Sequence, residues 1–322
     1  MTGNQETAAP LRQITLSGPL RRQVVKRRDR FSGGIVAEVA PETTPIARSG
    51  GGDTLNPPNA GVPQPVTLSN GGGPIAVGSP VQLIFWGNAW NDPSTSPSAA
   101  QLTADVQSIL AGPWRAGLRQ YGVGRIPFGG AAIVGNWQPP ATFSQGDVGS
   151  LVLTLIDGGA YVPGELNLYV VMMPPNTNYG PGGVTGQHWA FSYVDPLVGS
   201  DPAWVAFVLF NVESTMTGTF SHELAEMLTD PDGGAWQVNP RNSVSWNEIG
   251  DVCNFQYAPL AGVTVQAYWS QQDNACLIPQ APSVRKTLAL AGITLGGNGL
   301  RAVENPIPSL NALIDRLYGS TL

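Results

Sequence analysis

Three apolar runs constrain the fold of this chain more than any other feature: VQLIFW at 81–86, LNLYVVMM at 166–173 and AWVAFVLFN at 203–211. Runs of this length, bounded by turn-forming residues, read as buried strands. Between the first two, Leu102, Val106, Ile109 and Leu110 recur at helical spacing within 98–117, with Ser98 placed to act as N-cap. A second strand at 131–134 and a helix at 144–156 fill the rest of the interval. The order strand, helix, strand, helix, strand predicts an α+β domain in which helices flank a mainly parallel or mixed sheet.

Further along, a Pro/Gly-rich loop at 174–186 delivers Gln187-His188-Trp189 to the start of a short strand. After the third apolar run, 214–229 reads as a helix stopped by Pro231 and Gly233-Gly234. A strand is expected at 263–269, and an amphipathic helix at 308–318 carries Leu310, Leu313, Ile314 and Leu317 on one face. Residues 1–75 show no sustained apolar period and read as a flexible Gly/Pro-rich leader. The expected organisation is that leader, one domain over 76–281, and a tail over 282–322.

Composition narrows the function classes. Hydrophobic residues make up 42% and charged residues 12%, enough for a full core, while 40 Gly and 29 Pro point to turns and ordered loops rather than a helical bundle. The net charge is −6, and Arg21, Arg22, Lys26, Arg27, Arg28 and Arg30 cluster in the leader, so the remainder is more acidic still. An acidic body without a basic stripe excludes a nucleic-acid-binding domain. No apolar stretch is long enough to span a bilayer, and residues 1–35 hold no uninterrupted apolar segment of the kind a signal peptide needs. Cys253 and Cys276 lack C-x-x-C spacing and read as a disulfide, the alternative being two buried thiols.

The chemistry concentrates in Ser221-His222-Glu223-Leu224-Ala225-Glu226. Four residues apart on a helix, His222 and Glu226 project from one face about one turn apart. That is the spacing by which H-E-x-x-H helices place two zinc ligands, with the Glu beside the first His as general base. Here Glu226 stands for the second His, and Glu223 keeps the general-base position. The chain has only two histidines, so a His-rich site is impossible. One His with carboxylates still binds zinc, and the added oxygen ligands leave room for another divalent cation.

A third ligand is expected from His188 or from Glu248 and Asp251, with Asp230 supporting a ligand from just past the helix end. The plainer alternative is a solvated i, i+4 pair. Against it, Leu224, Ala225, Met227 and Leu228 make the helix apolar around much of its circumference, so its ionisable groups are expected to be buried and to need partners. Ser221 lies on a helix rather than on a strained strand-to-helix turn, and the glycine clusters at 71–73 and 296–297 have neither a P-loop Lys nor a dinucleotide-binding context.

Ser221 to Glu226, Thr229-Asp230-Pro231, Trp236 and Glu248-Ile249-Gly250-Asp251-Val252-Cys253 together resemble the signature of the Exordium (phosphate-induced protein) family and its bacterial relatives. The resemblance extends from about residue 81 to 276 and takes in His188 and Tyr268-Trp269-Ser270. It implies a secreted or cell-wall-associated protein, and the His-Glu helix is similar to that of zinc peptidases, which implies a zincin-like fold. The chain departs from the plant pattern in having Gly182 and Gly183 near His188, where plant members carry extra cysteines.

Two functions are therefore expected in competition. One is a monomeric zinc-dependent hydrolase, most simply a peptidase acting on peptide or protein through a metal-activated water. The other is a non-catalytic secreted binding or signalling module with a structural metal or none. In it Trp86, Trp90, Trp137, Trp189 and Trp236 are candidates to line a groove for cell-wall carbohydrate or peptide.

Overall fold

The computed structural model describes residues 11–16, 34–36, 66–161, 167–195, 199–238, 248–279, 293–296 and 299–302. Its centre is a seven-stranded mixed sheet in the order Arg12–Gln13, Phe128–Val134, Val81–Trp86, Leu168–Met172, Gly199–Val208, Val184–Asp195, Gly34–Val36. The first five run parallel. Val184–Asp195 runs antiparallel to both its neighbours.

Helices cover both faces, as the alternation of strands and helices predicts. Ile84, Trp86, Tyr169, Val171, Val205 and Phe207 point to one side, where helix α2 (Gln145–Asp157) packs Val148, Leu151, Val152 and Leu155 on them. The intervening residues, among them Leu83, Phe85, Val170, Met172 and Ala206, point to the other side. That side is covered by α1 (Ala99–Ala111), α3 (Glu213–Thr229) and the 3-10 helix Pro113–Tyr121. This is the α+β arrangement with a mixed sheet that the sequence predicts.

Local signals account for the helix starts. Ser98 accepts a hydrogen bond from the Gln101 backbone at 3.1 Å, and Ser144 forms a reciprocal capping box with Asp147. α1 stops at Ala111 rather than running to 117, because Gly112-Pro113 breaks it into the 3-10 helix that follows.

Three expectations are corrected. Parts of the supposed leader belong to the body: Arg12–Gln13 and Gly34–Val36 form the two edges of the sheet, and Leu68–Asn70 pairs with Trp236–Val238. These pieces are too short to show a period, and tertiary pairing decides their conformation. His188 lies inside the strand Val184–Asp195 rather than at the end of a loop. The expected strand at 263–269 is two, Val263–Gln266 and Tyr268–Ser270, since the chain changes partners at Ala267 from Tyr257–Leu260 to Ala275–Leu277.

The hairpin of Tyr257–Leu260 and Val263–Gln266 packs on α3, and a Cys253–Cys276 disulfide ties the short helix Asp251–Cys253 to the hairpin of Tyr268–Ser270 and Ala275–Leu277. No helix among the described residues is long and apolar enough to cross a membrane. The basic cluster at 21–30 and the amphipathic helix expected at 308–318 lie outside the described residues.

Candidate metal centre

α3 is packed between the sheet on one flank and the strand Val263–Gln266 on another, with α1 beside it, and every residue from Met216 to Thr229 is buried. Its polar side chains therefore have to find partners inside the protein. The hydroxyls of Thr217, Ser221 and Thr229 turn back onto helix carbonyls, and Ser221 Oγ also accepts the Gln266 backbone N–H at 2.8 Å. His222, Glu223 and Glu226 are left, at 1% exposure or less.

The fold brings three other predicted residues to them. His188 sits opposite Ala206 in the sheet, and so on the α3 side, 2% exposed. Its Nδ1 lies 3.2 Å from Glu223 Oε2 and 3.4 Å from Glu226 Oε2, while its Nε2 faces Glu248 Oε1 at 3.4 Å. His222 Nε2 lies 3.1 Å from Glu226 Oε1 and 3.7 Å from Asp251 Oδ1. The Asp251 backbone N–H donates to Glu226 Oε1 at 3.0 Å, which fixes the downstream loop to the helix.

Two glycines allow this approach. A Cβ on Gly250 would stand 2.7 Å from Glu226 Oε1 and 3.0 Å from His222 Nδ1. One on Gly186 would stand 2.4 Å from Thr219 Cγ2 and 2.9 Å from Glu223 Oε1. Side chains at either position would push the loop or the strand off α3.

Asp230 plays a different part from the one expected. Its carboxylate accepts from the Ala235 backbone at 2.6 Å and from Gln237 Nε2 at 2.7 Å, closing the turn that follows α3. Gln266, which the sequence did not single out, places its amide Nε2 2.6 Å from His222 Nδ1 and 3.0 Å from the Gly250 carbonyl. The two ends of an amide are isosteric, and Gln266 Oε1 is buried without a partner. Turning the amide over would set Oε1 against the Gly250 carbonyl, acceptor against acceptor, so Gln266 Nε2 keeps its place. His222 Nδ1 accepts from it, and the ring proton lies on His222 Nε2 toward Glu226 and Asp251.

Six ionisable groups thus share one buried volume, four carboxylates against two imidazoles. Burial disfavours a charged His222 ring, but Glu226, with Glu223 and Asp251 behind it, outweighs burial and holds its pKa up at about 10. Conversely, burial would raise Glu226, yet His222 and His188 hold it down at about 2. For Glu223, Glu248 and Asp251 burial prevails, and all three are raised. Two imidazoles cannot satisfy four buried carboxyl groups.

The mismatch shows in the hydrogen bonding. His222 Nε2, Glu223 Oε1, Glu226 Oε2, Glu248 Oε1 and Asp251 Oδ1 are all buried without a hydrogen-bond partner. Each such atom costs about 1–3 kcal/mol, more when charged, unless something else satisfies it. All five are metal-ligand types. His188, Glu223 and Glu226 form one set whose ligand atoms lie within 4.8 Å of one another, and His222, Glu226 and Asp251 form another. The residues present therefore fit a divalent cation. The mixed N/O donor set suits zinc as well as the harder manganese or iron.

The aromatic groove expected for a binding module loses two members, since Trp86 and Trp90 are core residues at 0% and 5% exposure. Trp137, Trp189 and Trp236 are half-buried. The chain matches no protein-family model, no curated protein and no solved structure.

Proposed function

We propose that this protein is a divalent-metal-dependent hydrolase of zincin-like design, with peptide or protein as substrate and zinc as the first ion to test. The carrying observation is the convergence of five buried ligand atoms from α3 and the loop at 248–251 that make no hydrogen bond, four of them with neighbours only at ion-pair distance. His222, Glu226 and Asp251 would hold the ion. A divalent cation in such a site supplies Lewis acidity, polarising a carbonyl and making water ionise near neutral pH.

The chain's own residues supply the rest. Glu223 keeps the general-base position, with Oε2 against His188 and Oε1 free to receive a proton. His188 orients that carboxylate, and Glu248 at its far nitrogen orients His188. The resemblance to the Exordium family supports a secreted or cell-wall-associated setting. The disulfide and the lack of a membrane-spanning helix among the described residues are compatible with an extracellular location.

One observation favours a second reading. Both imidazoles also lie at ion-pair distance from carboxylates, 3.1–3.7 Å, as in a self-contained polar network of a non-catalytic binding module. Elemental analysis with a protease assay separates the two. In a hydrolase, metal is bound by the native chain and lost in His222→Ala. Glu223→Gln keeps the ion held by His222, Glu226 and Asp251 but loses hydrolysis of an unfolded protein substrate at least about 100-fold. A chain that binds no metal when supplied with zinc or manganese ends the hydrolase reading and leaves the polar network.

A further inference from the structure

The ligand atoms fall into two groups rather than one. The set His188, Glu223, Glu226 and the set His222, Glu226, Asp251 share Glu226 and no other residue. The two oxygens of Glu226 also face different ways: Oε1 lies 3.1 Å from His222 Nε2, and Oε2 lies 3.4 Å from His188 Nδ1. A carboxylate with a separate nitrogen ligand beside each oxygen has the arrangement of a bridge.

We propose that the cluster is a two-cation centre bridged by Glu226. His188 and Glu223 hold one ion with Glu226 Oε2, and His222 and Asp251 hold the other with Glu226 Oε1. This rests on the metal-binding reading above and extends it by a second ion.

Three further observations carry it. The donor count is the first: four carboxyl groups and two imidazoles share one buried volume, more ligand groups than one four-coordinate ion takes up. The second is the distribution of partnerless atoms. Glu226 Oε2 belongs to the His188 group, and His222 Nε2 and Asp251 Oδ1 to the other. Each has a neighbour only at ion-pair distance and makes no hydrogen bond, so both groups hold ligand atoms open to an ion. An ion in one group alone leaves the other unsatisfied.

The third is that each histidine has a group at its outer nitrogen. Glu248 stands at His188 Nε2, 3.4 Å away, and Gln266 at His222 Nδ1, 2.6 Å away. A group that accepts the outer proton sets the tautomer and leaves the inner nitrogen bare for a metal. The fold provides this for His188 through Glu248, while Gln266 holds the His222 ring in place from Nδ1. Glu223 binds through Oε2 in this arrangement, so its Oε1 remains available for proton transfer.

The test uses the full chain stripped with a chelator, dialysed, and titrated with manganese(II) chloride, followed by elemental analysis and electron paramagnetic resonance. The expected result is two equivalents of manganese per chain with an exchange-coupled spectrum. His188→Gln and Asp251→Asn should each retain one equivalent with the spectrum of an isolated ion. Melting curves of both variants confirm that they fold, and the stoichiometry of the native chain stands whether or not they do. One equivalent in the native chain, kept in His188→Gln and lost in Asp251→Asn, overturns the second ion and leaves the single-ion hydrolase intact. Two equivalents without exchange coupling overturn the bridge. No bound manganese, with zinc likewise unbound, removes both proposals.

Discussion

The two faces of the central sheet are built from alternate residues of the same strands, yet they handle burial in opposite ways. On the α2 face, Phe207 packs edge-on to Phe143 with ring centroids 5.0 Å apart and leans on Tyr179 and Trp189, and Gln187 opposite it is uncharged and bonded by the Gln145 amide. On the α3 face, the neighbouring position Ala206 has His188 opposite it, and α3 answers with His222, Glu223 and Glu226. Apolar burial stabilises by roughly 25 cal/mol per Å². A buried ion costs several kcal/mol before any pairing. Stability alone explains the first face. The second keeps a charge set that the fold does not need, which is the mark of a site.

The largest effect expected from this contrast comes from truncating one buried side chain on each face. Phe207→Ala should cost about 3–5 kcal/mol by urea denaturation, with or without chelator, because it opens a cavity in a close-packed region. Glu248→Met behaves differently in chelator-treated protein. Four carboxylates stand against two imidazoles, and His188 keeps Glu223 and Glu226 as partners when Glu248 goes. Removing a carboxyl that burial already penalises should leave stability unchanged or raise it by about 1 kcal/mol or more. Equal losses on the two faces would show that the α3 cluster is an ordinary structural network, and the contrast would collapse.

A smaller effect tests how the site face is held together. The disulfide closes a sequence separation of 23 and lies two residues beyond Asp251, whose backbone is tied to Glu226. Replacing both cysteines by serine should cost about 3 kcal/mol through the unfolded chain. It should also weaken metal binding by about 10–100-fold, the usual effect of loosening what supports a ligand. Phe207→Ala, on the other face, should leave metal affinity unchanged. Calorimetric metal titration of the two variants side by side checks both statements.

Much of this architecture is legible in the sequence where a segment carries its own signal. The run at 81–86 is the strand Val81–Trp86, and Ser98 and Ser144 start the helices where their spacing predicts. The segment around His188 carries no such signal. Its α3 side reads Gly186, His188, Ala190, without a large apolar residue, because the strand must pass close to Thr219 and Glu223. The requirement that lets the site form also erases the period that would reveal the strand. Gln266 is invisible for another reason: only the tertiary fold brings it to His222, 44 residues away in sequence. Five ligand candidates and Glu223 as the base could be named one by one, but not their division into two groups about Glu226.

The smallest effect lies on the α3 face away from the cluster, at the seam between α1 and α3. Asp105 is raised to about 6, first by burial and then by Glu213, and its Oδ2 is buried without a hydrogen bond. Glu213 is already bonded by the Gln101 amide, so it offers Asp105 only repulsion. A carboxyl raised on folding stabilises while protonated. Its contribution is complete below pH 3.8, fades as the pH rises through about 6, and is absent above. Asp105→Asn carries no proton to lose, so it should gain stability over the native chain at pH 8 and match it near pH 4. A shift of this size corresponds to about 3 kcal/mol at full strength, but Asp105 is half-exposed, and solvent screening leaves about 1 kcal/mol. Urea midpoints at the two pH values measure the difference. A gain that is the same at both would assign the effect to the amide's hydrogen bonding instead of charge. A gain confined to high pH would show that destabilising carboxylates on this face extend beyond the cluster, so that excess charge identifies the site only where several such groups also share ligand distances.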